Sequence, residues 1–242
     1  MEDTIRLNKF LSDIGYCSRR EADRLIEAGR ITVDGMRAVT GMKISAGARV
    51  EADGRLVGTP EDAAKVKRVL LAVNKPVGVV CSTSDRDRAP IITELVDYPE
   101  RIYPIGRLDK DSCGLILMTN DGSLVNRILK ASNHHEKEYV VRVDQLITRE
   151  FISQMRKGVR LEELHVTTRK CFVEQMDERT FRIILTQGLN RQIRRMCQAL
   201  GYHVLSLQRI RIMNIELGRL KEGTFRKVKG EELESLLRGL DE

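Results

Sequence analysis

The sequence contains no apolar run long enough to cross a lipid bilayer, which takes about 20 consecutive residues. The longest runs, such as residues 77–81 and 115–118, have only the length of a β-strand. The first residues also lack the basic stretch and the apolar stretch that together mark a secretory signal. We therefore expect a cytoplasmic protein without a membrane partner.

The cysteines have no recognisable pattern. None of the five belongs to a Cys-x-x-Cys pair, and an odd number argues against a disulfide framework. We expect reduced thiols that mostly pack in the interior. His134 and His135 are adjacent, but no cysteine or carboxylate lies at a metal-ligand spacing from them, so no metal site is expected.

Negative charge is scarcer than positive charge. The 42 lysines and arginines exceed the 35 acidic residues, which gives a formal net charge of +7. This excess favours a polyanionic partner, either nucleic acid or an anionic membrane surface. With 242 residues, the chain is long enough for one ordinary domain and one small domain.

The first part of the chain predicts two helices. Apolar residues at 7–14 recur at helical spacing until Gly15. A second helix is expected after Ser18, which forms an S-x-x-E capping box with Glu21. Gly29 then occupies the position of a left-handed C-cap, where the helix should end.

Hairpins are predicted to complete this first domain. The Asp-Gly pairs at 34–35 and 53–54 follow short alternating stretches, as β-hairpin turns do. A polar stretch that contains proline and shows no strand alternation comes next. We assign residues 1–60 to the small domain, 61–67 to a linker and 68–242 to a second domain.

Strands and helices alternate in the second domain. The predicted strands are 69–74, 77–82, 115–119, 138–143, 171–175, 181–186 and 204–215. The predicted helices are 124–129, 149–157, 190–200 and 231–237. Because short turns join several neighbouring strands, we predict an α+β fold with a mixed or antiparallel sheet and flanking helices.

The helices of the small domain carry a basic face. Arg19, Arg20 and Arg24 share one side of the second helix, and Arg6 and Lys9 lie on the first. Such a face can bind phosphates. Because acidic residues lie among the arginines at ion-pair spacings, a solvated helix face is an equal alternative on charge alone.

The order of the residues distinguishes the two readings. Residues 6–11, 17–22 and 33–35, with the helix-ending Gly29, resemble the RNA-binding domain first recognised in a ribosomal small-subunit protein, the S-four domain. The resemblance covers about residues 4–57 and implies structured RNA as the ligand. Such domains occur on unrelated proteins, so it does not define a reaction.

Two further segments carry candidate catalytic residues. Residues 105–115 form a glycine-bounded charged loop before an apolar strand, a common setting for catalysis, although an exposed turn has the same composition. In residues 188–197 helical spacing gives one apolar face, from which Arg191 and Arg195 project away. Arg194 lies at the margin, where it can reach a carboxylate in a cleft or snorkel to solvent.

These segments occur, with residues 74–78 and 137–139, in the order found in the pseudouridine synthases that modify ribosomal RNA. The resemblance spans essentially the whole chain and lies within the group of small-subunit synthases and large-subunit synthases B, E and F. The run at 188–197 looks most like type F.

The resemblance implies specific roles. Asp109 is the catalytic aspartate, Tyr139 stacks on the base and handles a proton, and Arg194 pairs with the aspartate and keeps it ionised. Arg107 fills the gap left by a flipped nucleotide.

The remaining polar residues of these segments have less defined roles. We assign Asn190, Arg191 and Arg195 to RNA binding. Related groups carry histidine where this chain has Arg191, which leaves a catalytic role for that residue unsupported. Asp111 matches no catalytic position and is interpreted as a loop or capping residue.

By the same resemblance, the reaction detaches uracil from C1′ of its ribose and rejoins it through C5. Nothing is gained or lost overall, so no cofactor and no metal is required. We expect base flipping out of a stem-loop of large-subunit ribosomal RNA, with transfer RNA as a possible second substrate, and a monomeric enzyme. An aspartate adduct and a glycal intermediate both stay open.

Other functions are compatible with parts of the pattern. A non-catalytic RNA-binding assembly factor would use the same basic surfaces, and the same activity on small-subunit ribosomal RNA or transfer RNA would use the same site. A metal-dependent nuclease would need Asp85, Asp87, Asp109 and Asp111 as ligands, although no histidine or glutamate pattern supports them.

Overall fold

The computed structural model describes residues 4–82, 89–130 and 134–241. The chain divides into two compact units: Met1–Arg68 with Asn120–Gly122, and Val69–Thr119 with Ser123–Glu242. Within the described ranges, no helix is long and apolar enough to span a membrane.

The first unit combines helices with small antiparallel sheets. Its elements are β1 (Ile5–Arg6), α1 (Leu7–Asp13), α2 (Arg19–Glu27), β2 (Ile31–Val33), β3 (Met36–Arg37), β4 (Lys43–Ile44), β5 (Val50–Ala52), β6 (Arg55–Gly58) and α3 (Pro60–Lys65). One sheet has the order β3-β2-β5-β6, and β1 pairs with β4. The two helices predicted from the sequence are confirmed, whereas Arg6 lies in β1 rather than on the first helix.

Local side-chain chemistry explains these elements. The Ser18 side chain accepts a hydrogen bond of 3.2 Å from the backbone N–H of Glu21 and so caps α2. Gly29 ends the helix with a φ of +70°. Both Asp-Gly pairs have positive φ at both residues, as two-residue hairpin turns require, which confirms those turns.

The segment interpreted as a linker contains the helix α3. Thr59 and Asp62 form a capping box, and Pro60 stands at the first helical position, which favours a helix start. Ala63 is buried in the core of the first unit, next to residues of α1 and α2. This short helix was missed because its six residues present only one buried apolar side chain.

The second unit is built on one large sheet. Its strands are β7 (Leu70–Lys75), β8 (Tyr103–Ile105), β9 (Cys113–Thr119), β10 (Lys137–Val143), β11 (Arg160–Leu161), β12 (Val166–Thr167), β13 (Phe172–Gln175), β14 (Thr180–Leu185), β15 (Val204–Ile212), β16 (Ile215–Glu216) and β17 (Phe225–Lys227). Its helices are α4 (Ile92–Val96), α5 (Gly122–Leu129), α6 (Arg149–Lys157), α7 (Gln192–Ala199) and α8 (Glu231–Asp241), and Glu162–Leu164 form a 3₁₀ turn.

The sheet has the order β13-β14-β10-β15-β9-β7-β17, with β8 beside β9 and β16 beside β15. Its described pairs are antiparallel except the pair of β9 and β15, which is parallel. Two separate apolar clusters pack on the sheet, one with α4, α6 and α7 and one with α5 and α8. The predicted α+β fold with a mixed sheet and flanking helices is therefore confirmed.

The structure differs from the sequence-based prediction at two strands. Residues 77–82 form no strand, because the chain turns at Val77 and Gly78, and only Val80 bridges to Ile91. The predicted strand 204–215 is two strands, β15 and β16, separated by a turn in which Met213 has a φ of +52°. An apolar run does not reveal where a chain reverses.

Candidate active site

A cleft of about 500 Å³ opens within the second unit. It is lined by the loop between β8 and β9, by β10 and β15, and by the segment that leads into α7. The catalytic candidates Asp109, Tyr139 and Arg194 all line it, as do Arg107, Asn190 and Arg191. Segments far apart in sequence thus supply one concave site.

Backbone contacts fix the loop that carries Asp109. The Ser112 N–H donates to the Asp109 carbonyl at 3.0 Å, which closes a turn. The Gly78 N–H donates to the Lys110 carbonyl at 2.8 Å. Leu108 is buried, so the residue before the aspartate anchors the loop in the core. Asp109 itself keeps 36% of its side chain exposed towards the cleft.

The ion pairs of the loop differ from the expected pairing of Arg194 with Asp109. Arg191 binds Asp111 through two hydrogen bonds of 3.2 and 2.9 Å, and one of its nitrogens lies 3.7 Å from Asp109. Arg194 instead has its Nε 3.4 Å from Asp111. Among the described residues, no ion pair joins Arg194 to Asp109. The difference arises because the fold places Asp111 beside both arginines, and a sequence motif does not show that placement.

Arg194 supports the loop through hydrogen bonds. Only 14% of its side chain is exposed. One terminal nitrogen donates to the Asp111 carbonyl at 2.8 Å and to the Ser112 hydroxyl at 3.1 Å, and the other donates to the Val204 carbonyl at 3.3 Å. Arg194 therefore ties the aspartate loop to α7 and to the start of β15.

Asp111 is an ion-pair partner as well as a loop residue. Burial would raise the pKa of this carboxyl, but hydrogen bonds from Arg191 and the charges of Arg194 and Arg191 outweigh burial and lower it. The interpretation of Asp111 as a loop residue omitted this role. The sequence did contain a signal for it, because a second carboxylate follows Asp109 by two positions and three arginines are clustered at 191–195.

The Asp111 ion pairs give a testable pH dependence. Because the folded state lowers the pKa of Asp111, its contribution to stability is complete above the ordinary value of about 4 and disappears as pH falls through the lowered pKa. Asp111 is 46% exposed, so solvent screens its ion pairs. We expect Asp111→Asn to cost about 0.5 kcal/mol and to lower the melting temperature by about 1 to 2 °C between pH 6 and 8. In thermal melts the difference between the two proteins should persist down to about pH 4 and shrink as pH falls further, through the lowered pKa of Asp111. A difference independent of pH would contradict this.

Tyr139 lies on β10, where it pairs with Ile183 of β14 and Arg209 of β15. It is half-buried, packs against the larger apolar cluster and lines the cleft. Cross-strand partners point to the same face of a sheet, so Tyr139 and Arg209 share the floor of the cleft.

The helix α7 begins at Gln192, two residues later than predicted. Arg191 takes a left-handed conformation with a φ of +50° and stands at the N-cap position. Its guanidinium contacts the aspartate loop and stays 41% exposed. Arg191 takes no part in the apolar cluster that this helix joins, as predicted, whereas its ion pair with Asp111 was not predicted.

Two cations of the site, one of them buried, were missed from the sequence. Arg209 is 4% exposed, and Lys137 and Arg209 both line the cleft. Burial, followed by the charge of Arg209, lowers the pKa of Lys137. Arg209 lies within the predicted strand 204–215, and Lys137 directly precedes the predicted strand 138–143. The period of a strand alone does not tell which face of the sheet forms a cleft.

The other predicted RNA-binding residues occupy different settings. Arg107 is exposed at the rim of the cleft. Arg195 forms an ion pair with Glu163 and also donates to the Asn190 carbonyl at 3.1 Å. Arg195 is therefore engaged in contacts within the protein.

The basic face of the first unit is partly neutralised. Lys9 is bound to Asp13 at 3.0 Å, and Arg24 contacts Glu21 at 3.1 Å. Arg6, Arg19 and Arg20 are exposed. Within the part of the chain that the structure describes, these three arginines have no ion-pair partner, so they retain charge for an external ligand.

A metal centre finds no support in this geometry. No group of three potential ligands is gathered anywhere in the described ranges. Asp85 and Asp87, which the nuclease hypothesis needs, lie outside the described residues.

The fold and the cleft agree with comparisons to known proteins. The chain belongs to the RNA pseudouridylate synthase family, whose model matches residues 69–199. An S4 domain model matches residues 5–50. Both resemblances predicted from the sequence are confirmed, and the chain is an isomerase of the pseudouridine synthase class.

Individual relatives are similar over nearly the whole chain. The dual-specificity RNA pseudouridine synthase RluF of Salmonella typhi is 50% identical over 237 residues, which are 98% of this chain and 80% of that protein. The ribosomal large subunit pseudouridine synthase B of Bacillus subtilis (strain 168) is 32% identical, over 96% of this chain and 95% of that protein. A crystal structure of a pseudouridylate synthase matches with a TM-score of 0.69 and 27% identity, over 98% of this chain and 99% of the other. The likeness to type F is confirmed.

Proposed function

We propose that this chain converts a uridine of large-subunit ribosomal RNA to pseudouridine in a stem-loop, with Asp109 as the catalytic carboxylate. The observation that carries the proposal is the cleft, in which a half-exposed aspartate on a fixed loop faces a tyrosine and several cations. The reaction is an isomerisation, so it needs no redox cofactor.

The proposed roles follow from position. The uracil edge is not accessible inside a stacked helix, so the nucleotide must leave the stack, at a cost of about a few kcal/mol. Arg107 at the rim is placed to fill the space that the nucleotide leaves. Tyr139 on the floor offers a ring for stacking and a phenol for moving the C5 proton.

The contacts of Arg191 and Arg194 support roles that differ from those implied by the family resemblance. Arg191, 3.7 Å from Asp109, supplies the nearest positive charge to the catalytic carboxylate. Arg194 holds the loop through Asp111 and Ser112. We propose that Arg194 positions the aspartate and that Arg191 supplies a positive charge beside it.

The names of the relatives support the choice of substrate. RluF is described as a dual-specificity RNA pseudouridine synthase, and synthase B as a ribosomal large subunit enzyme. We propose ribosomal RNA as the main substrate and transfer RNA as the second. We further propose that the enzyme is a monomer.

Carbodiimide adduct mapping tests this function. Ribosomal and transfer RNA would be compared by primer extension from cells that lack the protein and from cells in which it is expressed again. The expected result is a reverse-transcription stop that disappears and returns. Unchanged stops, combined with a defect in subunit assembly, would instead support the non-catalytic assembly factor.

The small unit is expected to anchor the RNA through phosphates. We predict that replacing both Arg19 and Arg20 by Gln reduces the slope of log Kd against log salt by about 1 to 2. The reason is that binding releases about 0.7 to 0.9 counterions for each phosphate contact, and the variant makes fewer contacts. Filter binding at several salt concentrations measures the slope.

A paired arginine of the same unit provides the control. Arg30 is exposed but donates to Asp53 at 2.9 Å, so Arg30→Gln should leave the slope nearly unchanged. Equal effects of both changes would show that net charge, rather than a defined RNA surface, determines the affinity.

A further inference from the structure

Arg209 is held in the floor of the cleft with part of its guanidinium unsatisfied. Its Nε donates to the Leu115 carbonyl at 2.6 Å. Its Nη2 is buried and has no hydrogen-bond acceptor among the described residues. Buried donors are normally paired, so an unpaired one that lines a cleft indicates a ligand that completes it.

The fold brings Arg209 unusually close to the neighbouring strand. Arg209 pairs with Gly114 in the parallel contact of β9 and β15, where a Cβ on Gly114 would lie 2.3 Å from the Arg209 carbonyl oxygen. Because Gly114 has no side chain, β9 can approach β15 closely at this point, and the close contact fixes the Arg209 backbone. The guanidinium extends from a rigid strand, as preorganised binding groups do.

The charge of Arg209 is not compensated nearby. No carboxylate forms an ion pair with it within the described ranges. Lys137, on the same floor, adds a second positive charge, and its lowered pKa reflects burial and the charge of Arg209. Two cations in a partly desolvated floor attract negative charge strongly.

We propose that Arg209 donates a hydrogen bond from Nη2 to a uracil oxygen and stabilises the negative charge that develops on the base as the glycosidic bond breaks. This inference rests on the proposed function and adds a catalytic residue to it. Tyr139, its cross-strand partner, lies on the same face, so a base stacked on Tyr139 has its edge within the reach of Arg209.

The negative charge that develops on the base is stabilised by such a group. When the C1′–N1 bond breaks, its electron pair leaves with N1, and the uracil carries a negative charge shared by N1, O2 and O4. The deficit at C1′ is met by loss of the C2′ proton or by bonding to the Asp109 carboxylate. The C5–C1′ bond then forms while Asp109 returns the proton to C2′ or, on the other route, while the Asp109–C1′ bond breaks and its electron pair returns to the carboxylate. The C5 proton is lost, N1 is protonated, and nothing is oxidised or reduced.

Burial favours the base over a phosphate as the ligand. Phosphates of a flipped nucleotide stay with the backbone at the mouth of a site, where exposed arginines such as Arg107 are found. Arg209 is 4% exposed and lies on a central strand of the sheet. A group this deep contacts the part of the nucleotide that enters furthest, which is the base.

The proposal is tested by a double-substitution cycle, in which a change at Arg209 is combined with a change of one uracil oxygen in the substrate. The substrate is an RNA stem-loop with the mapped uridine, or with 2-thiouridine or 4-thiouridine at that position, since sulfur is a weak acceptor. Wild type, Arg209→Gln and Arg209→Lys are compared in single turnover, with the exposed Arg219→Gln as the control. Thermal melts verify that the variants fold. If Arg209→Gln does not fold, Arg209→Lys takes its place in the comparison.

We expect Arg209→Gln to slow isomerisation of uridine by about 10²-fold with little change in Kd, as loss of one oxyanion donor does. Sulfur at one of the two oxygen positions should slow isomerisation by the wild-type enzyme. The same sulfur should cause no further slowing in Arg209→Gln. Independent, multiplicative effects at both oxygens would overturn the proposal. Weaker RNA affinity with a shallower salt slope would also overturn it, in favour of a phosphate contact. A wild-type enzyme inactive on uridine would refute the proposed function itself.

Discussion

Replacement of Asp109 by Asn is expected to reduce uridine isomerisation by at least about 10³-fold, since an amide can neither add to the ribose nor remove a proton. The side chain keeps its size, and the loop is fixed by backbone contacts of Ser112, Lys110 and Leu108 that do not involve the carboxylate. Folding and RNA affinity should therefore persist. Single-turnover assays on the mapped stem-loop and parallel binding titrations measure the two effects.

Asp111→Asn is the matched control for this prediction. It removes the same charge from the same loop, two residues away. Its carboxylate is bound by Arg191 and Arg194, so its loss should weaken the loop without removing the reacting group. Isomerisation should fall by about tenfold or less. If Asp109→Asn retained activity while Asp111→Asn lost it, the assignment of the catalytic carboxylate would be reversed.

Gly114→Ala is expected to destabilise the second unit strongly. Gly114 has a φ of +101°, and an added Cβ would lie 2.3 Å from the carbonyl oxygen and 2.8 Å from the nitrogen of Arg209. Backbone strain and overpacking together should cost about 3 to 5 kcal/mol. We expect the melting temperature of this unit to drop by about 10 °C, as measured by calorimetry.

Gly201→Ala separates these two causes. Gly201 has a φ of +83°, but nothing lies within 4 Å of a Cβ built there. Only backbone strain applies, at about 1 to 2 kcal/mol. Equal losses for the two alanine variants would mean that the approach of β9 to β15 contributes little.

Sequence reasoning succeeded where short-range chemistry determines structure. The turn at Asp34 and Gly35, the cap at Ser18 and the helix α6 all depend on residues within a few positions of each other, and each was predicted. The aspartate loop was also identified, because its glycines and charges are contiguous. Family resemblance then supplied its proposed chemistry.

The pairing within the site depends on tertiary placement, and there the prediction failed. Arg191 turns into the cleft because its backbone is left-handed, which its residue type does not favour. Asp111 faces the same arginines as Asp109, so the motif alone did not show which carboxylate Arg194 binds. The direction of Arg209 depends on the register of β15 against β9 and β10, strands far away in sequence.

The parallel seam between β9 and β15 has a consequence for biosynthesis. It joins distant parts of the chain: the side-chain hydrogen bond from Arg209 to Leu115 spans 94 positions. Such distant contacts close slowly and only after the later strand has left the ribosome. A nascent chain that ends before residue 204 would contain the reactive aspartate but leave β9 and β10 with unpaired edges, which are prone to aggregation. Catalytic competence should therefore arise in one late step of synthesis, well after the small RNA-binding unit has formed.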